Sequence, residues 1–314
     1  MTAPKQHLPG QVVHLTKRTT QRQFLLVNSR KGEMKNAAGY LYFLACKRHR
    51  QEPHAVMVMS NHTHLCQTDA SGKRSRFLQE FHSFFAKVVN KFRKRRENLW
   101  APGNGGNTWL LDTGKIADTM LYIWLNPVKA GLVERVDHWD HFQILPKHWG
   151  KTMRFKRPDY FREGDPDKPE FIEYTPMPPK AFSHLPLEKV ITHFETLIRE
   201  GEKRLLVERR KKKKTIKGME RCYTFNPESR PRKNAPMSTL NPKFSSNEPT
   251  FIEAAITGLK SFLRIYKRRM EDLKKGNRMA FPAGTLQIVE RLNLDCLPIP
   301  KDIHPMEYEP YLIG

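Results

Sequence analysis

Cysteine is scarce in this chain of 314 residues, and none of it is placed to staple a fold: Cys46, Cys66, Cys222 and Cys296 lie far apart with no CxxC pair. That spacing argues against a zinc cluster or a disulfide framework and leaves free thiols in a reducing cytoplasm as the expectation. Long apolar runs are also missing. None approaches the ~20 residues needed to span a bilayer, and the opening "MTAPKQHLPG" carries no hydrophobic signal segment. We therefore expect no membrane partner and a protein that stays where it is made. Acidic charge is in deficit as well. Thirty-two Asp and Glu face 56 Lys and Arg, a formal net charge of +24. A self-repelling surface of that size points to an anionic polymer, nucleic acid first.

What is present has a clear order. "QVVHLT" (Gln11 to Thr16) alternates as a strand, and "NAAGYLYFLACKRHR" (Asn36 to Arg50) has helical spacing with basic residues at its dipole-favoured end. "HAVMVM" and "HTHLCQ" flank Ser60-Asn61, two turn-prone residues that suggest a tight hairpin. From Ser75 to Arg96 the residues Phe77, Phe81, Phe84, Phe85, Val88 and Phe92 recur at helical spacing and predict a core-facing helix. "TWLL" reads as a strand, and "TGKIADTMLYIWLN" as a helix capped by Thr113 and stopped before Pro127. The order strand, helix, two strands, helix, strand, helix predicts an α+β fold of the ferredoxin-like type, an antiparallel sheet with helices on one face. We expect a core domain over 1–150 and a Pro- and Asp-rich connector over 151–180. A basic, mostly helical region over 181–314 should follow, with a mobile stretch around 215–250.

His62 and His64 sit one residue apart, so on a strand both project to one face and could share a metal ion. With 13 histidines in the chain the spacing alone is weak, and a hydrogen-bonded pair is the plain alternative. "VMVMSNHTHL" resembles the HUH motif of single-tyrosine transposases. "LYIWLNPVKAGLV" (Leu121 to Val133) resembles the tyrosine helix of their REP-associated branch, the REP-associated tyrosine transposases. "RTTQRQFLL", "FAKVVNKFRKRRENLW" and "RPDYF" are similar to stretches of the same branch, and the resemblance covers roughly residues 10 to 180. One position departs from it: Thr63 stands where the family usually has an apolar residue, and a buried hydroxyl needs a partner.

The resemblance implies an HUH endonuclease-type core and a single-strand DNA nicking and joining enzyme. Tyr122 would be the nucleophile, and His62, His64 and Asn126 the ligands of a divalent metal, Mg2+ or Mn2+. It also implies DNA as partner, single-stranded or with hairpin ends, in a prokaryotic cytoplasm at the nucleoid; a homodimer is left open. Each residue has an ordinary alternative: Tyr122 as a packed aromatic, Asn126 as a helix C-cap before Pro127. A domesticated protein that binds nucleic acid without cutting it is the rival reading, and a hydrolase using water would need a carboxylate beside the histidines; Asp69 and Glu52 are the nearest in sequence. Independently of the resemblance, "KFRKRR" places Lys91, Arg93, Lys94, Arg95 and Arg96 within six positions, which reads as a phosphate track. "RRKKKK" (Arg209 to Lys214) is a less specific candidate, and Trp100, Trp109 and Trp124 could stack bases if exposed.

Overall fold

A computed structural model describes residues 4–103, 105–162, 164–231, 242–299 and 311. The elements follow as β1 (Gln11–Arg18), α1 (Glu33–His49), β2 (Gln51–Val58), β3 (His62–Asp69), α2 (Arg74–Phe92), β4 (Gly106–Leu110) and α3 (Thr113–Trp124). Then come α4 (Asn126–Lys129), β5 (Gln143–Ile144), β6 (Met153–Lys156), β7 (Phe171–Tyr174), α5 (Leu187–Lys211), α6 (Met219–Tyr223), β8 (Phe244–Ser245), α7 (Pro249–Lys274) and α8 (Gln287–Leu292). The first seven repeat the order expected from the sequence. Six strands form one sheet in the order β5-β2-β3-β1-β4-β8, antiparallel except for the parallel β4–β8 pair.

The hairpin between β2 and β3 closes as its residues predict: the Met59 N–H donates to the His62 carbonyl at 2.8 Å, leaving Ser60 and Asn61 as the loop. Its register places Met57 opposite His64 and Val56 opposite Leu65, and β1 adds Thr16 opposite His64 and Leu15 opposite Leu65. Side chains alternate across a strand, so His64, Met57 and Thr16 share one face and Leu65, Val56 and Leu15 the other. α1 and α2 cover the Leu65 face, where the Tyr42 hydroxyl donates to Gln67 and the Tyr42 ring meets Phe77 and Phe81 edge-on. The expected, mostly antiparallel sheet is there, but its helices are not confined to one face: α3 crosses the face opposite α1 and α2.

The Phe pattern of α2 buries Phe77, Phe81, Phe85 and Val88, as its spacing requires. The helix is shorter than its periodicity suggests. It ends at Phe92, which is 40% exposed beneath the Arg93 guanidinium, and Lys94 turns to a φ of 54°. β6 and β7 form a second, two-stranded sheet docked on α1. Phe155 sits so close to Gly39 that a Cβ there would lie 2.5 Å from the ring, and Asn36 exchanges two hydrogen bonds with the Lys156 backbone. On the other side, Phe194 of α5 packs edge-on against Trp124 and Trp149 at 5.5 and 5.6 Å.

Of the stretch expected to be mobile, residues 232–241 lie outside the described residues, while Phe244–Ser245 adds a strand to the main sheet. All four cysteines are free, as their spacing implies. Among the described residues no helix is long and apolar enough to cross a membrane.

Thr63 is fully buried and its hydroxyl has no hydrogen-bond partner. An unmade bond of this kind costs about 1–3 kcal/mol. Thr63→Val should therefore raise unfolding stability by about 1 kcal/mol in a urea titration, and a lower midpoint would show that the hydroxyl is satisfied.

Candidate functional site

The site is built where the start of β3 meets the α3–α4 corner. The cap of α3 lies one residue before the expected one: Asp112, not Thr113, is the N-cap, its carboxylate accepting from the Lys115 N–H at 2.6 Å. A carboxylate at that position also faces the positive end of the helix dipole. The helix stops at Trp124, and Pro127 opens the one-turn α4, where a missing N–H costs nothing. Tyr122 comes off α3 44% exposed, while its neighbours Met120, Ile123 and Trp124 are buried. Its ring centroid lies 5.6 Å from that of His64 and 6.3 Å from that of His14, and the Lys129 ammonium stands 5.1 Å over its face.

His62 and His64 do share a face, their ring centroids 4.8 Å apart. Asn126 does not cap α3, whose C-cap is Leu125; its buried amide reaches His64 Nε2 at 3.2 Å and also hydrogen-bonds His62. The other ring nitrogens are occupied. His62 Nδ1 lies 2.7 Å from the Asn61 carbonyl oxygen Oδ1, which can only accept, so Nδ1 carries the proton and the lone pair is at Nε2. His64 Nδ1 lies 3.0 Å from His14 Nε2, so with His14 as acceptor the lone pair of His64 is likewise at Nε2. Burial, joined by the charge of Arg18, pushes the His62 imidazolium down to about 4. Burial and then the neighbouring His62 and His14 push His64 well below the ordinary value.

Two neutral imidazoles with their lone pairs turned toward one amide are a donor set a divalent cation can use, since ligation needs deprotonated ligands. A half-turn of the Asn126 amide presents its oxygen as the third donor. Among the described residues no group of three or more His, Cys, Asp or Glu could hold a metal, so an ion here would rest on His62, His64 and the Asn126 amide alone. Asp69 and Glu52 lie at the far end of the β2–β3 ladder, paired with Gln51 and Thr68, so neither can serve as a base here.

Three contributors escaped the sequence reading. His14 stacks on His64 at 5.3 Å, Arg18 faces His62 directly across β1 and β3, and Lys129 covers Tyr122. Only the strand register could have found the first two; Lys129 lies seven residues beyond Tyr122, two helical turns on, and is visible in retrospect.

The basic run divides. Arg93 donates to the carbonyls of Leu25 (3.3 Å) and Val27, and Arg95 donates to Gln23 at 3.2 Å, so both brace the Gln23–Val27 loop against the end of α2. Lys91, Lys94 and Arg96 are exposed. Arg209 likewise turns inward to the Ala130 and Thr215 carbonyls. The three tryptophans are not stacking platforms: Trp124 and Trp109 are buried, and Trp100 donates its N–H to the His82 carbonyl. If the exposed three grip a single strand, changing Lys91, Lys94 and Arg96 together to Ala should flatten the slope of log K against log salt by roughly 0.7 for each phosphate released, about 2 in all. An unchanged slope, measured by fluorescence anisotropy on labelled single-stranded DNA, would place the phosphate-binding side chains elsewhere.

No family model matches the chain, and no curated protein matches it. Among solved structures it is similar to a REP-associated tyrosine transposase bound to a REP hairpin, with 20% sequence identity and a TM-score of 0.40, over 47% of this chain and 84% of that one. A likeness of that size carries no argument about the site, which rests on the positions of its own side chains.

Proposed function

We propose that the protein is a transposase-like, metal-dependent single-strand DNA endonuclease and strand transferase that works through a 5'-phosphotyrosine intermediate on hairpin-forming DNA. The observation that carries this reading is the placement of one exposed phenol beside a pair of histidines that both hydrogen-bond the Asn126 amide. Tyr122 Oη attacks the scissile phosphorus in line, losing its proton, while the P–O3' bond breaks and the leaving oxygen becomes a 3'-hydroxyl. The ester is conserved, so a second 3'-hydroxyl can reverse the step without an energy source. Lys129 over the Tyr122 ring and Arg18 beside His62 supply fixed positive charge around the site. A divalent ion on His62, His64 and Asn126, Mg2+ or Mn2+, would polarise the phosphate and offset its developing charge. The exposed position of Tyr122 on a helix suits a flexible, unpaired strand, whose phosphate can be brought to a protruding phenol.

The direct test is incubation with a pool of hairpin oligonucleotides bearing single-stranded flanks, in Mn2+, followed by a denaturing gel. A protein-linked DNA band is expected. Intact DNA across the pool would leave a protein that binds without cutting, and cut DNA with no linked band would indicate water as nucleophile.

A further inference from the structure

A second concavity lies on the other face of the sheet. Lys17 and Asn107 point to the α1–α2 side, opposite the face that carries His64, and with Ser75, Gln79 and His82 of α2 they line a cleft of about 600 Å³. Tyr266 of α7 and Gln287 of α8 close it from above, so the C-terminal helices form its roof. A smaller cavity of about 170 Å³ adjoins it through Lys5, His7 and Asn107, and adds Arg74, Lys243 and Trp109.

Four cations therefore converge on one connected hollow, and among the described residues no Asp or Glu lines either part of it. The crowding is felt: partial burial and the charges of Arg74 and Lys243 lower the pKa of Lys5, and burial with Lys5 lowers that of Lys17. Asp69 offsets Arg74 alone. Polar atoms around the hollow also lack partners. His7 Nδ1, His82 Nε2, Arg74 Nε and Trp109 Nε1 are buried without a hydrogen bond, and the last two can only donate. Buried donors are nearly always satisfied in a folded protein, and like charges are not gathered without compensation. Lys17 already donates to the Ala101 and Gly103 carbonyls and Arg74 to Gln11, so what the hollow lacks is an anion to offset the net charge of Lys5, Lys17 and Lys243.

The wall is firmly held. The His7 N–H donates to the Gly284 carbonyl, Gln6 donates to the Ala283 carbonyl, and His7 Nε2 meets Ser75 Oγ at 2.6 Å. Gly284, at a φ of 85°, has no room for a Cβ against Gln6 and His7. The volume lies in the range of small-molecule sites, ~300–1,000 Å³, and exceeds what a bare ion needs.

We propose that this cleft binds the phosphate of a nucleotide, gripped by Lys5, Lys17, Lys243 and Arg74, with the sugar and base lodged under the roof of α7 and α8. The site is separate from Tyr122 and does not depend on the cutting reaction. The nucleotide could be free or part of a strand, and the chemistry is the same.

Histidine ring resonances of the 15N-labelled full chain would test it, with sodium pyrophosphate, dAMP and an eight-residue oligothymidylate as titrants. His7 and His82 should shift and saturate with pyrophosphate and with dAMP, equally in wild type and in Tyr122→Phe. The double variant Lys5→Gln, Lys243→Gln should weaken both at least tenfold while the other histidines keep their wild-type positions, and Ser83→Trp at the mouth should exclude dAMP. Displacement of dAMP by the oligonucleotide identifies a strand site, and failure to displace it a site for free nucleotides; either supports the assignment. Unmoved His7 and His82 resonances, or shifts undiminished in the double variant, would overturn it.

Discussion

Tyr122→Phe should make no covalent adduct with DNA and lower strand cleavage on the order of 10⁴-fold or more, the scale seen when a nucleophile is removed from an enzyme. The change deletes one exposed oxygen and keeps the ring that packs beneath Lys129, so the helix, the fold and DNA affinity should be retained. In the wild type, mass spectrometry of the trapped complex should place a nucleotide on Tyr122 through a 5'-phosphate, with a free 3'-hydroxyl on the other fragment. A Phe variant that still cuts without any adduct would assign the attack to water. An adduct on another tyrosine, with the variant active, would remove Tyr122 from the reaction and leave the reaction class standing.

The histidine pair carries the second large effect. Replacing His62 or His64 with Ala removes one of the two imidazoles that hydrogen-bond Asn126 and, on the proposed reading, the ion they would hold at the phosphate. Several kcal/mol of transition-state stabilisation correspond to a loss of roughly 10²- to 10⁴-fold in cleavage. DNA affinity should stay within a few-fold, because the backbone contacts come from other side chains. EDTA should reproduce both variants, and Mn2+ binding followed by electron paramagnetic resonance should weaken in each without reference to activity. Cleavage that persists in EDTA and in His64→Ala would make the pair structural.

The parts of this protein that could be read in advance are those whose information is local. The β2–β3 hairpin is written in Ser60-Asn61 between two strand-like runs, and the buried stripe of α2 in the spacing of Phe77, Phe81 and Phe85. Tyr122 and Asn126 are only four residues apart, across the corner between α3 and α4, so their neighbourhood was also legible. His14 was not, because its contact with His64 depends on pairing two strands about 50 residues apart in a register that only the folded sheet sets. Arg93 and Arg95 looked like their free neighbours in sequence; what separates them is a loop 66 to 72 residues away whose carbonyls need donors. The covering of both sheet faces was hidden for a similar reason. The apolar stripe of α3 announces burial and does not say on which side.

The Phe194–Trp124–Trp149 cluster has a practical bearing on how the chain can be divided. Trp124 is the last residue of α3, and its ring is packed edge-on against a side chain contributed some 70 residues later. Severing the polypeptide after Trp149 would strip both indoles of that contact and leave Tyr122 at the end of a helix with one side unsupported. The shortest piece from which the tyrosine could be studied in its own setting thus extends through α5, to Lys211.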